Sequence, residues 1–210
     1  MTIEPARIRP YQSGDLDELC RICLQTANNG GDGTSIFRDS RLPGHVYAAP
    51  YALFEPSLAF VAADAEGVGG YVVAALDTAA FEQRLQRDWW PGLRESHPEP
   101  SPDLAGELSS QEQSALEAIH HPRTTPAELT GDFPSHLHIN LVPRLQGQRL
   151  GQQLIATVVS ALRAGGSTGL HLHVRPGNYR AAGFYRHLGF AEFPAEDRRV
   201  FTMAFTAPSG

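Results

Sequence analysis

Gln146-Gly147-Gln148-Arg149-Leu150-Gly151 follows an alternating apolar run, Leu137, Ile139 and Leu141, and opens a helical pattern carried by Leu150, Leu154, Ile155, Val158, Val159 and Leu162. A strand that turns through glycine into a helix aims the free N–H groups and positive dipole end of that helix at one point. A pyrophosphate can sit there without a dedicated basic side chain. Gly-x-x-x-Gly alone is equally the mark of an ordinary loop that needs positive φ. A second segment adds weight: Asn178-x-x-Ala181-x-x-Phe184-Tyr185-x-x-x-Gly189-Phe190 follows another strand. Helical spacing puts Ala181, Phe184, Tyr185 and Leu188 on one inward face, with Gly189 as the stop. Together the two segments suggest a coenzyme A site.

Other residues invite chemistry and have plainer readings beside it. His136 and His138 alternate along one predicted strand and His171 and His173 along another, so each pair points to one face. Zinc is conceivable for such a set, but no cysteine or carboxylate completes it, and half-buried, hydrogen-bonded imidazoles lining a cleft fit as well; no metal is assigned. Cys20 and Cys23 form Cys-x-x-Cys, yet they fall on the buried stripe Leu16, Leu19, Cys20, Cys23, Leu24, Ala27 of a helix capped by Ser13. No second ligand pair accompanies them, and packing is the reading kept.

The elements that must position these residues can be read along the chain. A first strand covers Ala6 to Pro10, and a glycine-rich loop runs from Asn28 to Ser35. Strands at Leu58 to Ala63 and Val68 to Leu76 are joined by the hairpin connection Asp64-Ala65-Glu66-Gly67. Between Thr78 and Phe133 the pattern loosens into Trp89-Trp90-Pro91, a proline-rich stretch, and a helix opened by the capping box Ser109-x-x-Glu112. Trp89 and Trp90 either pack this segment onto its own domain or wall an acceptor cleft. The 210 residues suit one domain with a sizeable core. A net charge of -6 argues against nucleic acid and tolerates cationic amines. No apolar leader and no membrane-length run appears, so a cytoplasmic protein without membrane partners is expected.

The two segments resemble the GNAT superfamily of acyl-CoA N-acetyltransferases, whose cofactor loop reads Arg/Gln-x-x-Gly-x-Gly/Ala and whose later helix carries the asparagine and tyrosine in this arrangement. Elsewhere the chain is similar to the C-terminal acetyltransferase-like domain of the O-GlcNAcase family. Arg9-Pro10-Tyr11, Asp32-Gly33-Thr34-Ser35, Leu53 to Val61, Gly69-Gly70-Tyr71, Ala75 to Thr78, Phe133-Pro134-Ser135 and Val174-Arg175-Pro176 carry that likeness over nearly the whole length. No carboxylate pair for sugar hydrolysis stands out. The resemblance implies an α/β GNAT fold: a mixed central sheet of about six to seven strands, splayed between the two middle parallel strands, with helices on both faces. It also implies a helical Trp/Pro-rich insertion, 78–133, inside a single domain 1–210.

The implied activity is direct attack of an amine on the thioester of acetyl-CoA, used as cosubstrate. Backbone N–H groups at Leu141 or Val142 are the expected carbonyl polarisers, and Gln146, Gly147, Gln148, Arg149, Leu150 and Gly151 the expected pyrophosphate seat. Asn178 is expected near the pantetheine end, and Tyr185 near the sulfur, where its phenol serves the departing thiolate. On the acceptor side the expected residues are Trp89, Trp90 and Asn140. Asn140 stands where many relatives carry a carboxylate base and cannot take a proton itself. His138 and Asp32 are the two candidates for that task. Arg149 replaces the usual middle glycine of the loop. The alternative is a catalytically inactive relative that binds CoA or a protein partner.

Overall fold

The computed structural model describes residues 5–195 and 198–205. Among them seven strands form one sheet: β1 (Arg7–Pro10), β2 (Ala59–Asp64), β3 (Gly67–Ala75), β4 (Ser135–Leu141), β5 (Gly169–Val174), β6 (Ala191–Phe193) and β7 (Arg199–Ala204). Their order is β1-β2-β3-β4-β5-β7-β6, and every neighbouring pair is antiparallel except β4 and β5. Helices α1 (Leu16–Gln25), α2 (Leu42–Tyr47) and α3 (Ala49–Phe54) come between β1 and β2. The segment before β4 folds as α4 (Thr78–Asp88), α5 (Trp90–Ser96), α6 (Pro102–Ala105), α7 (Ser110–His120) and α8 (Ala127–Thr130). Helix α9 (Leu150–Ala164) follows β4 and α10 (Tyr179–His187) follows β5.

The alternation of side chains along a strand divides the residues of β4 between two faces. Leu137, Ile139 and Leu141 lie on the face covered by α9, whose Leu150, Leu154, Ile155, Val158 and Leu162 are buried. His136, His138 and Asn140 lie on the opposite face, under α1 to α3. Gly44 lets α2 cross α1 closely, because a Cβ there would stand 2.6 Å from Cys20. Both cysteines are free and inside this packing, and burial pushes their thiols up, to about 11 at Cys20 and about 12 at Cys23.

Two local expectations change. Ser13, expected to cap the first helix, instead opens a 3-10 turn ahead of α1. There the Asp15 carboxylate accepts from the Gln12 N–H at 2.8 Å and pairs with Arg9 at 2.6 Å, a stronger acceptor than a hydroxyl. Ser109 does cap α7, accepting from the Glu112 N–H at 3.0 Å. Glu112, however, sends its carboxylate to the Arg38 N–H at 2.9 Å, because a side chain 5% exposed needs a donor in the interior.

Candidate active site

The parallel strands β4 and β5 are paired only at Ser135↔Leu170 and His136↔His171, then part while both continue. The opposite edge of β4 stays on β3 as far as Gly70↔Leu141, beyond which the Val142 N–H donates to Gly69 O at 2.9 Å. Backbone groups of successive strand residues point to opposite edges, so the Leu141 N–H is turned into the gap. Of the two expected donors, Val142 is therefore committed to the sheet and Leu141 is free. Gln146 secures the corner, its Nε2 donating to Leu141 O at 2.7 Å while Arg180 donates to its Oε1 at 2.6 Å. Gln148 Nε2 folds back onto Arg144 O at 2.7 Å.

Beyond that corner the backbone N–H groups from Gly147 to Gln152 have no backbone acceptor among the described residues, and the α9 ladder begins with Gln153 N–H to Arg149 O at 3.1 Å. Gly147 takes φ +76° and Arg149 φ +61°. The arginine thus adopts the left-handed conformation that favours glycine, at a cost of roughly 1–2 kcal/mol, and the loop keeps its path. Gly151 brings α9 against α10: a Cβ there would stand 3.2 Å from the Phe184 ring.

Asn178 caps α10, its Oδ1 accepting from the Ala181 N–H at 3.0 Å, which leaves its amide NH2 as the group open to a ligand. Tyr185 is 8% exposed, ringed by Phe184, Phe190 and Phe201 at 5.3, 5.4 and 5.9 Å between centroids. Its hydroxyl has no protein partner among the described residues, and burial holds it well above the usual phenol range, so it stays protonated.

On the other face the four histidines separate into two kinds. Thr78 Oγ1 donates its one proton to Pro134 O at 2.7 Å, so it accepts from His136 Nδ1 at 2.8 Å, and His136 Nε2 must accept from the Tyr51 hydroxyl at 2.8 Å. His171 Nδ1 donates to Phe133 O at 2.8 Å. His136 and His171 are therefore tied into the frame. His138 and His173 have no hydrogen-bond partner among the described residues and line the cleft. His138 lies between Tyr47 and Tyr51, at 5.7 and 5.2 Å between ring centroids. Burial lowers all four histidines, His138 and His173 to about 4, so each is neutral at pH 7. Among the described residues no cluster of three or more His, Cys, Asp or Glu side chains is placed to hold a metal ion.

Asn140 lines the same cleft with its Nδ2 bonded to the Tyr71 hydroxyl at 2.7 Å. Trp90, 4% exposed, forms part of the wall. Trp89 does not: its Nε1 donates to His45 O at 2.9 Å and its ring meets Phe54 edge-on, which clamps the start of α5 to α2 and α3. Asp32 is exposed, outside the cleft, and holds Thr34 in a local turn that lowers its pKa. Asp32 is not among the residues that line the cavity, although Asn29 and Gly30 of the same loop are. Tyr47, Tyr51 and Glu82, which reach the cleft from α2, α3 and α4, stand in no motif of the sequence, whereas Thr78 belongs to a stretch that carries the family likeness.

Residues of both sheet faces line one cavity of about 1280 Å³, so it passes through the gap between β4 and β5. Arg149, Arg175, Arg180 and Arg198 line it from the segments around α9, α10 and β7, while its carboxylates, Glu82 and Glu117, come from α4 and α7 and are joined there by Arg123, which pairs with Glu117 at 3.4 Å.

A strand pair that splays to expose backbone N–H groups beside a glycine turn defines an acyl-CoA transferase architecture. The profile of the acetyltransferase (GNAT) family matches residues 82–190, just over half of the sequence, and the chain belongs to that family. It is 26% identical over 185 residues to Protein O-GlcNAcase of Rattus norvegicus, a match that covers 88% of this chain and 20% of the relative. The chain thus spans about a fifth of the length of that curated relative. The crystal structure of SsHAT superposes with a TM-score of 0.85 at 32% identity, over 95% of this chain and 98% of that one. The structure of yncA from Salmonella typhimurium with its cofactor acetyl-CoA shares the fold, with a TM-score of 0.55 at 12% identity over 98% and 96% of the two chains. Among the described residues no helix is long and apolar enough to cross a membrane.

Proposed function

We propose that this protein is an acetyl-CoA-dependent N-acetyltransferase that moves an acetyl group to an amine by direct attack on the thioester. The observation that carries this reading is the single cavity through the β4–β5 gap, with free N–H groups on one side and an unpartnered neutral imidazole on the other. The six N–H groups from Gly147 to Gln152 suit a pyrophosphate, and Arg149, Arg175 and Arg180 add charge of the matching sign. Acetyl-CoA supplies the activated acyl carbon; the chain supplies orientation, charge stabilisation and proton traffic.

In this reading the Leu141 N–H donates to the thioester oxygen, where negative charge grows as nitrogen bonds to carbon. His138 is a weak base, matched to taking a proton from the nitrogen once attack has made it acidic. Tyr185 donates to the sulfur as the carbon–sulfur bond breaks. The Asn178 NH2 is left for the pantetheine arm. Arg149 bears on the alternative of an inactive relative: its left-handed backbone keeps the cradle of N–H groups in place, which favours a working cofactor seat. The two free thiols suit a reducing cytoplasm.

All 17 basic residues are arginine, so no lysine of the chain competes with an added acceptor. Calorimetric titration with acetyl-CoA, followed by thiol release across an amine panel, tests the reading. Saturable binding and amine-dependent CoA release are expected; binding without release from any amine would favour the inactive relative, and no binding would reject the cofactor site.

A further inference from the structure

We propose that Glu82 makes the acceptor arm of the cleft a subsite for a second positive charge, so that diamines and basic chains are preferred over monoamines. The proposal rests on the N-acetyltransferase reading of the cleft.

Glu82 lies on α4, half-buried, in the cavity wall beside Phe81. Its charge is felt by the Tyr51 hydroxyl, which is bonded to His136, two residues before His138 on β4. Glu82 and the proposed proton acceptor His138 line the same cavity. Its orientation is fixed by neutral donors alone: the Thr125 N–H reaches both oxygens at 3.2 Å and the Thr125 hydroxyl reaches Oε1 at 2.6 Å. Among the described residues no arginine or histidine forms an ion pair with it. Three other carboxylates are matched by arginine, Glu117 by Arg123 at 3.4 Å, Asp64 by Arg144 at 3.1 Å and Asp15 by Arg9.

A fixed carboxylate without an ion-pair partner among the described residues focuses negative potential into the arm, since Arg123 of the same wall is paired with Glu117, and Oε2 keeps most of its accepting capacity. The cavity's arginines on the segments around α9 and α10 repel a second cation from the cofactor end, so the two ends bias one orientation. Phe81, Tyr51 and Trp90 offer an apolar floor for the methylene chain between the charges.

Glu82 also ties the Thr125 loop to α4, and two substitutions separate the roles. Glu82→Gln keeps an oxygen for Thr125 and removes the charge; Thr125→Val removes the hydroxyl and keeps the charge. Acceptor binding is measured by calorimetry with and without desulfo-CoA, pairing butylamine with putrescine, hexylamine with hexamethylenediamine, and octylamine with octamethylenediamine. At the best length the diamine is expected to bind about tenfold tighter than its monoamine, with the advantage lost in Glu82→Gln and kept in Thr125→Val. In CoA release the same advantage is expected in KM more than in kcat. Equal binding of mono- and diamines at every length, no binding of either, or an unchanged preference in Glu82→Gln overturns the proposal. Selective diamine binding that Glu82→Gln abolishes, with no CoA release, would leave the subsite standing and reject the transferase reading.

Discussion

The two ends of the cleft are made from different materials. The end beside α9 and α10 is largely main chain: the Leu141 N–H, the N–H groups of 147–152, and side chains such as Gln146 that brace them. The end beneath α2, α3 and α4 is side chain: His138, Tyr47, Tyr51 and Glu82, from segments far apart in sequence. A backbone site depends on local conformation and tolerates Arg149 in place of glycine, provided the residue takes the left-handed turn. A side-chain site depends on which elements pack together and on the partner each polar group finds.

The largest effect is expected from removing one main-chain donor. Leu141→Pro deletes an N–H that the β3–β4 ladder does not use, so the sheet should form while kcat falls by about 10²–10³. Circular dichroism and steady-state CoA release check the two halves of that statement; a folded variant with full turnover would show that the gap does not polarise the carbonyl. Tyr185→Phe keeps the aromatic packing and is expected to lower kcat by about a hundredfold with acetyl-CoA affinity retained. An equal fall in both would make it a packing residue.

The side-chain end should be the pH-sensitive one. His136 and His138 have folded pKa values below their ordinary 6.5, His138 at about 4, whereas in the unfolded chain they titrate near 6.5. Between pH 6.5 and about 4 the unfolded state binds more protons, so stability is fully present above this window and falls as pH drops through it. Thermal melts across that range should show the loss, and His138→Gln should flatten part of it. The smallest effect is expected at Asp32, where Asp32→Asn should change kcat/KM less than about twofold, because the residue is exposed, is not part of the cavity lining, and bonds Thr34 through an oxygen that Asn retains. A large loss there would return the loop to the list of proton acceptors.

The same contrast explains how much could be read beforehand. The turn at Gly147, the α9 stripe and the Asn178 to Gly189 helix were legible because each is a local pattern with a physical period. The choice between Leu141 and Val142 was not, since it depends on which edge of β4 faces a partner. Nor was the division of four similar histidines into two bonded and two open ones, which depends on Thr78, Phe133 and Tyr51 arriving from other elements. Trp89 and Trp90 are adjacent and look equivalent in sequence, yet successive positions at the α4–α5 junction send one to His45 and the other to the cleft.

By itself the sequence determined the alternation of strands and helices, the glycine turn before α9 and the capped helix after β5, because hydrophobic period and backbone preference act over a few residues. Tertiary structure alone decided where β4 and β5 part, which imidazoles keep a free nitrogen, and that Glu82 has no ion-pair partner among the described residues. Each of those depends on the partner that a group meets across the fold, and that partner is set by packing between segments distant in the chain.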